Sequence, residues 1–227
     1  MSTITSLESG FYRVPLPTVL TDSTHGQMRA FELCTLRVRD ADGAEGVGYT
    51  FTVGRNGGAI HDILAREVPE ILDGEDADLI ERLWQKLWWA LHYGGRGGPT
   101  VLAISAADMA LWDLKAKRAG LPLWKLLGGH EPKVPCYAGG IDLDLPLDDL
   151  LRQTDGNLAK GFRAIKMKVG RDLDDDIRRL TIAREAVGPD VALMIDGARM
   201  VSPGMIRAAL DAAALHPRAF VATLGFH

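Results

Sequence analysis

Two lysines stand two residues apart in Phe162-Arg163-Ala164-Ile165-Lys166-Met167-Lys168-Val169, a short run that suits a β-strand. Successive strand side chains point to opposite faces. Ile165, Met167 and Val169 therefore share one face, and Lys166 and Lys168 share the other. An apolar face meets helices, so the two ammonium groups are expected to point inward. Leaving a buried charge unpaired costs several kcal/mol, on the order of 3–5, and such a cost suggests chemistry. Two adjacent cations also lower one another's pKa. That moves a lysine toward the neutral amine, a general base near pH 7. The next strand-like run, Leu193-Met194-Ile195-Asp196, ends in a carboxylate at the corresponding level. A carboxylate there suits Mg²⁺, a hard cation that prefers oxygen ligands. The bland readings stay open here: an i, i+2 lysine pair also marks a solvated edge strand, and Asp196 also reads as a helix cap or loop residue.

The elements that must position these residues fall into two rhythms. Strands come first. Ile4–Val14 is expected to end at Pro15 and Pro17, and 31–39 alternates cleanly. Asp40-Ala41-Asp42-Gly43 is a hairpin turn, and 45–52 is the returning strand. Two loops are expected, 17–28 with Thr24-His25-Gly26 and 53–58 with Arg55 among glycines. Helices follow over 59–72, from an Asp76 cap to about His92, and over 100–118 behind Pro99. Tyr93-Gly94-Gly95-Arg96-Gly97-Gly98 separates the last two. It is no phosphate-binding fingerprint, since no strand immediately precedes it. Trp84, Trp88, Trp89, Trp112 and Trp124 read as core or interface aromatics.

From Val134 the rhythm becomes strand, helix, strand. Strands are expected over 134–138, 163–169 and 191–195, and helices over 147–159, 172–187 and 203–215. A further strand is expected over 219–224. Asp172, Asp174, Asp175 and Asp176 crowd a helix start, where the dipole favours them; they are not a calcium loop. Regular βα alternation implies parallel strands with right-handed crossovers. Active sites of βα barrels lie at the C-terminal ends of the strands.

The 227 residues carry a formal net charge of −4 and no basic run, which argues against nucleic acid as a partner. No apolar run approaches the roughly 18 residues of a membrane span. The first eight residues do not read as a secretory signal. Cys34 and Cys136 are too few and too far apart for a disulfide framework or a metal cluster. The expectation is a cytoplasmic protein with two buried thiols.

Lys-x-Lys on one strand and Asp at the end of the next resembles the mandelate racemase-like branch of the enolase superfamily. The resemblance runs over about residues 4–200. It includes Ala103-Ile104-Ser105-Ala106-Ala107-Asp108-Met109-Ala110-Leu111-Trp112-Asp113-Leu114-Lys115, Pro122-Leu123 before Leu126-Leu127-Gly128, and Lys166-Met167-Lys168-Val169-Gly170. Within the branch it looks most like the acid-sugar dehydratases of the talarate/galactarate type. It implies an α+β capping domain over 1–130. A partial (β/α)8-type barrel of three to four βα units follows over 131–227. It implies Mg²⁺ held by three carboxylates on consecutive strands, with Asp196 as the first. The metal grips a substrate carboxylate and stabilises an enediolate. Lys168 then takes the α-proton, and Lys166 stabilises charge and holds its partner's pKa down. His25 and Arg55, in loops that close over the small carboxylate substrate, are implied contacts. Arg96 is a further candidate anion contact from its own glycine-rich loop. Dehydration or racemisation of a hydroxy acid follows, and homo-oligomers are common in such families.

The pattern also breaks. Asp196-Gly197-Ala198 stands where Asp-Ala-Asn is expected. Phe220–His227, where Glu-Glu-Pro is expected, holds no acid, and the last carboxylate is Asp211. The stretch from about Met200 reads as a C-terminal truncation, with a catalytically inert remnant that binds or oligomerises as the alternative reading. Open sheet edges would then favour dimers or aggregates.

Overall fold

The computed structural model describes residues 2–197. The helix expected over 203–215, the strand expected over 219–224 and Ala198 lie outside them. Among the described residues, the chain up to Pro15 and Ala30–Lys133 form one compact unit. Leu16–Arg29 and the chain from Val134 onward form a second.

The first unit is built on a three-stranded sheet in the order β1 (Ile4–Asp22), β2 (Gly26–Asp40), β3 (Glu45–Thr52). β1 runs straight through Pro15 and Pro17, where the sequence suggested an end. It is an edge strand, and an edge has positions where a missing N–H breaks no ladder. The expected 17–28 loop shrinks to a turn over Ser23-Thr24-His25, and Gly26 takes the left-handed φ of 66° that closes such a hairpin. β2 and β3 pair antiparallel from Glu32 with Thr52 to Arg39 with Glu45. Asp40 shapes their turn by accepting the N–H groups of Asp42 and Ala44.

Helix α1 (Gly57–Asp62) passes through a π-turn (Ile63–Glu67) into α2 (Val68–Leu72). Pro69 sits just past that turn, where loosened bonding absorbs its missing donor. α3 (Ile80–Leu91) starts later than the expected Asp76 cap. Asp76 is occupied elsewhere, accepting Ser2 N–H at 3.0 Å and Asp78 N–H at 3.1 Å. α4 (Gly98–Arg118) carries Pro99 in its first turn, and the short α5 (Leu123–Leu126) follows. Cys34, Leu36 and Val38 of β2, Leu83 and Leu87 of α3, and Leu111 and Leu114 of α4 are all buried in one core. Each such leucine contributes about 1.5–3 kcal/mol by leaving water. Trp88 and Trp112 pack only partly against that core, while Trp84, Trp89 and Trp124 are exposed.

β3 meets α4 at backbone distance. Gly46 and Gly48 point at the carbonyl oxygens of Ala110 and Ala106, and a methyl group at either would collide with them. The alanine-rich face of α4 supplies the matching flatness.

The second unit holds a parallel sheet in the order β4 (Ala138–Gly139), β5 (Ala164–Lys168), β6 (Ala192–Asp196). α6 (Leu147–Ala159) and α7 (Leu173–Val187) are the crossovers. This is the beginning of a (β/α)8-type barrel. β4 is shorter than the expected 134–138, because its pairing with β5 reaches only Ala138 and Gly139. Cys136 in the preceding segment is exposed, so only Cys34 is a buried thiol. Leu150 of α6 and Ala183 of α7 pack with Ile165, Met167 and Leu193 as the core of this unit. Asp172 caps α7 by accepting the Asp175 N–H at 2.9 Å, as the acidic run suggested. Among the described residues no helix is long and apolar enough to cross a membrane.

Candidate active site

β5 and β6 run in register from Ala164 with Ala192 to Lys168 with Asp196. Ile165, Met167 and Val169 are buried at 3%, 1% and 3% exposure, toward the helices. The alternation of β5 therefore sends Lys166 and Lys168 to the other face. Both reach the same atom. Lys166 Nζ lies 2.8 Å and Lys168 Nζ 2.9 Å from Asp196 Oδ2. All three side chains are largely shielded from water, at 22%, 13% and 22% exposure. These contacts are charge-assisted hydrogen bonds in a partly dry setting, the strong kind.

The electrostatics correct one expectation. The lysines do not meet as a bare cation pair, because Asp196 stands between them. Burial works against the Lys166 ammonium, but the hydrogen bond and charge of Asp196, helped by Tyr137, outweigh it, and the Lys166 pKa is raised. Burial likewise pushes the Asp196 carboxyl up. The hydrogen bonds from Lys166 and Lys168 outweigh that and hold it below the usual carboxylate range.

Two residues that sequence reasoning passed over complete the surroundings of Lys166. Its Nζ stands 5.5 Å from the Tyr137 ring centroid, a cation–π distance. Gly139 is its register partner on β4, and a Cβ there would lie 3.2 Å from Lys166 Cε. The glycine leaves the path of the lysine open. The only sequence signal was the run Tyr137-Ala138-Gly139-Gly140 itself.

His25 sits at the hairpin turn, in the same compact unit as the lysines. Its Nδ1 is 2.8 Å from Asp22 Oδ2. Asp22 also accepts the N–H groups of Thr24 and His25. Burial pushes the Asp22 carboxyl up, but these bonds outweigh it and leave it below its usual range. Arg55 and Arg96 belong to the other unit. Arg55 is exposed between Gly54 and Asn56, both at positive φ, and Arg96 lies 5.9 Å from the Trp88 ring centroid. The structure thus brings Lys166, Lys168 and Asp196 into contact.

Asp196 suits Mg²⁺ by donor type and by its place at a strand's C-terminal end. It supplies one of the roughly six oxygens that the ion takes. Among the described residues no group of three or more His, Cys, Asp or Glu side chains gathers to supply the rest.

Residues 10–128 match the mandelate racemase/muconate lactonizing enzyme N-terminal domain, and residues 149–220 match the enolase C-terminal domain-like family. The chain belongs to the mandelate racemase/muconate lactonizing enzyme family. It is 54% identical over 208 residues to a 3,6-anhydro-alpha-L-galactonate cycloisomerase of Streptomyces coelicolor, covering 91% of this chain and 58% of that protein. A racemase from Streptomyces coelicolor A3(2), solved with bound magnesium, superposes with a TM-score of 0.90 at 52% identity, over 96% of this chain and 61% of the other. L-Talarate dehydratase from Polaromonas sp. JS666, complexed with Mg and L-glucarate, superposes with a TM-score of 0.87 at 34% identity, over 95% and 60%. The chain therefore spans about three fifths of the length of these relatives.

Proposed function

We propose that Lys168 abstracts the proton α to the carboxylate of a sugar acid whose β-oxygen then leaves. The convergence of Lys166 and Lys168 on Asp196, at the C-terminal ends of adjacent parallel strands, carries the reading. Lys168 receives the α-proton on its amine. The C–H electron pair moves toward the carboxylate, the Cβ–O bond breaks, and the departing oxygen takes up a proton. The resulting enol rearranges to a 2-keto-3-deoxy acid. Lys166, kept cationic by its raised pKa, faces the negative charge that develops. Asp196 would be one ligand of Mg²⁺, which when bound supplies Lewis-acid stabilisation of that charge.

The relatives support this substrate class. In a 3,6-anhydro-galactonate the β-oxygen is a ring ether, and in an aldarate it is a hydroxyl; both lie one carbon beyond the acidic C–H. One proton abstraction serves both, and return of the proton to the opposite face gives racemisation instead. His25 is the side chain of the same unit that we assign to contact with the substrate's polar groups. The test is formation of keto acid, trapped as its semicarbazone, from 3,6-anhydro-L-galactonate and from galactarate with Mg²⁺. Product from either supports the reading. No product and no racemisation with any hydroxy acid overturns it.

A further inference from the structure

We infer that Asp142 is a positioning residue that locks the backbone of the lysine strand to the hairpin turn carrying His25. The inference rests on the reading of Lys168 as the base, and it deepens that reading.

Asp142 lies in the loop after β4 and is buried, at 5% exposure. Its two carboxylate oxygens are divided between two neighbours. Oδ1 accepts the backbone N–H of Lys168 at 3.1 Å, and Oδ2 accepts Gln153 Nε2 of α6 at 2.9 Å. The Lys168 N–H is at the very end of β5, where a free donor would let the strand fray. A buried carboxylate with charge-free donors is costly unless the bonds are well made, so its persistence here marks a function in holding that end.

The same loop is gripped from two further sides. Arg179 of α7, 4% exposed, donates Nη2 to Asp142 O at 3.0 Å and Nη1 to Leu145 O at 2.7 Å. Its neighbour on the helix, Asp176, accepts the Gly170 N–H at 2.8 Å, two residues beyond Lys168. The hairpin tip also joins the loop, as a short parallel bridge between Thr21 and Asp142. Thr21 N–H donates to Ile141 O at 3.1 Å, and Leu143 N–H donates to Thr21 O at 3.1 Å. Asp22, next along, organises the turn and holds His25.

The loop is made to fit the carboxylate. At Gly140 a Cβ would collide with Asp142 Oδ2 and come within 2.7 Å of Gln153 Nε2. The glycine leaves the space into which Asp142 folds back. Lys168 is thereby bonded to the Asp142 carboxylate, and the turn carrying His25, 143 positions away in the chain, is bonded through Thr21 to the backbone of Ile141 and Leu143 on either side of that aspartate. A shift of the hairpin tip is transmitted to the end of β5, and a shift of β5 to the tip.

The experiment is amide hydrogen exchange read by mass spectrometry on the full chain, comparing wild type with Asp142→Ala, Asp142→Asn and Gly140→Ala. Asp142→Ala is expected to speed exchange about tenfold both in peptides containing Lys168 and in peptides spanning 18–28, with α4 unchanged. Asp142→Asn keeps an acceptor oxygen and restores protection to within about threefold of wild type. Gly140→Ala displaces the carboxylate and reproduces the alanine pattern, so the inference stays testable if Asp142→Ala does not fold. In a preparation that turns over, kcat falls about tenfold in Asp142→Ala and recovers in Asp142→Asn. Exchange unchanged in both segments, exchange raised evenly through the whole chain, or Asn behaving like Ala would each overturn the inference. Failure of the wild type to turn over any sugar acid would remove the proposed reaction and leave the exchange result to decide the tether.

Discussion

Lys168 and Asp196 face one another across the β5–β6 register, and Lys168 Nζ donates to Asp196 Oδ2 over 2.9 Å. Lys166 donates to the same oxygen over 2.8 Å. One carboxylate oxygen therefore gathers both lysine amino groups.

Asp196→Asn should lower the Lys166 pKa. Burial already disfavours the Lys166 ammonium, and the aspartate is what overrides it. Competitive labelling of lysine amines with acetic anhydride across a pH series, read by peptide mass spectrometry, measures this. The Lys166 reactivity curve is expected to move to lower pH in the variant. A curve that stays in place would mean that Asp196 does not set the charge of Lys166.

Gly48→Ala should destabilise the first unit by about 1–3 kcal/mol, toward the upper end, because the new methyl meets backbone that cannot rotate away. Gly46→Ala should do the same against Ala110. Urea denaturation gives the number. A change below roughly 0.5 kcal/mol, ordinary for a surface substitution, would contradict the close packing of β3 on α4.

Asp40 makes acid stability predictable. It is buried at 2% exposure, accepts Ser2 Oγ at 2.8 Å and lies 3.5 Å from Arg118 Nε. Burial pushes its carboxyl up, but the bonds from Ser2 and Ala44 and the Arg118 charge outweigh that, and its pKa is lowered. A carboxyl with a lowered folded pKa stabilises fully above its unfolded value, roughly 3.9, and loses that contribution as pH falls through the folded value. Asp40→Asn should therefore be less stable than wild type at pH 7, and the gap should narrow below about pH 4. Thermal melts at pH 7 and pH 3 test this; a gap that widens in acid would reverse the assignment.

Much of the scaffold was legible in the sequence where a local signal had no competitor. The helix expected over 147–159 is α6, and the period-2 pattern of β5 correctly divides apolar residues from lysines. Legibility ended where a distant neighbour decides. Pro15 and Pro17 look like strand breakers until β1 is known to be an edge. Asp76 looks like a helix cap until Ser2 claims its oxygen. The sequence placed Asp196 level with Lys166 and Lys168 but not in contact with both, and it is that contact that raises the Lys166 pKa instead of lowering it. Asp142 carried no signal at all, since its bonds join β5, α6 and the hairpin tip.

Proton NMR in deuterium oxide measures the proposed removal of a sugar acid's α-proton by Lys168, whether or not product is released. With Mg²⁺ and 3,6-anhydro-L-galactonate or galactarate, the wild-type chain should replace the α-hydrogen with deuterium or carry it away in turnover. Lys168→Ala should slow that loss by at least about a hundredfold, the scale of general-base catalysis. Loss of the α-hydrogen at equal rates in the two proteins, or in neither, would contradict the account.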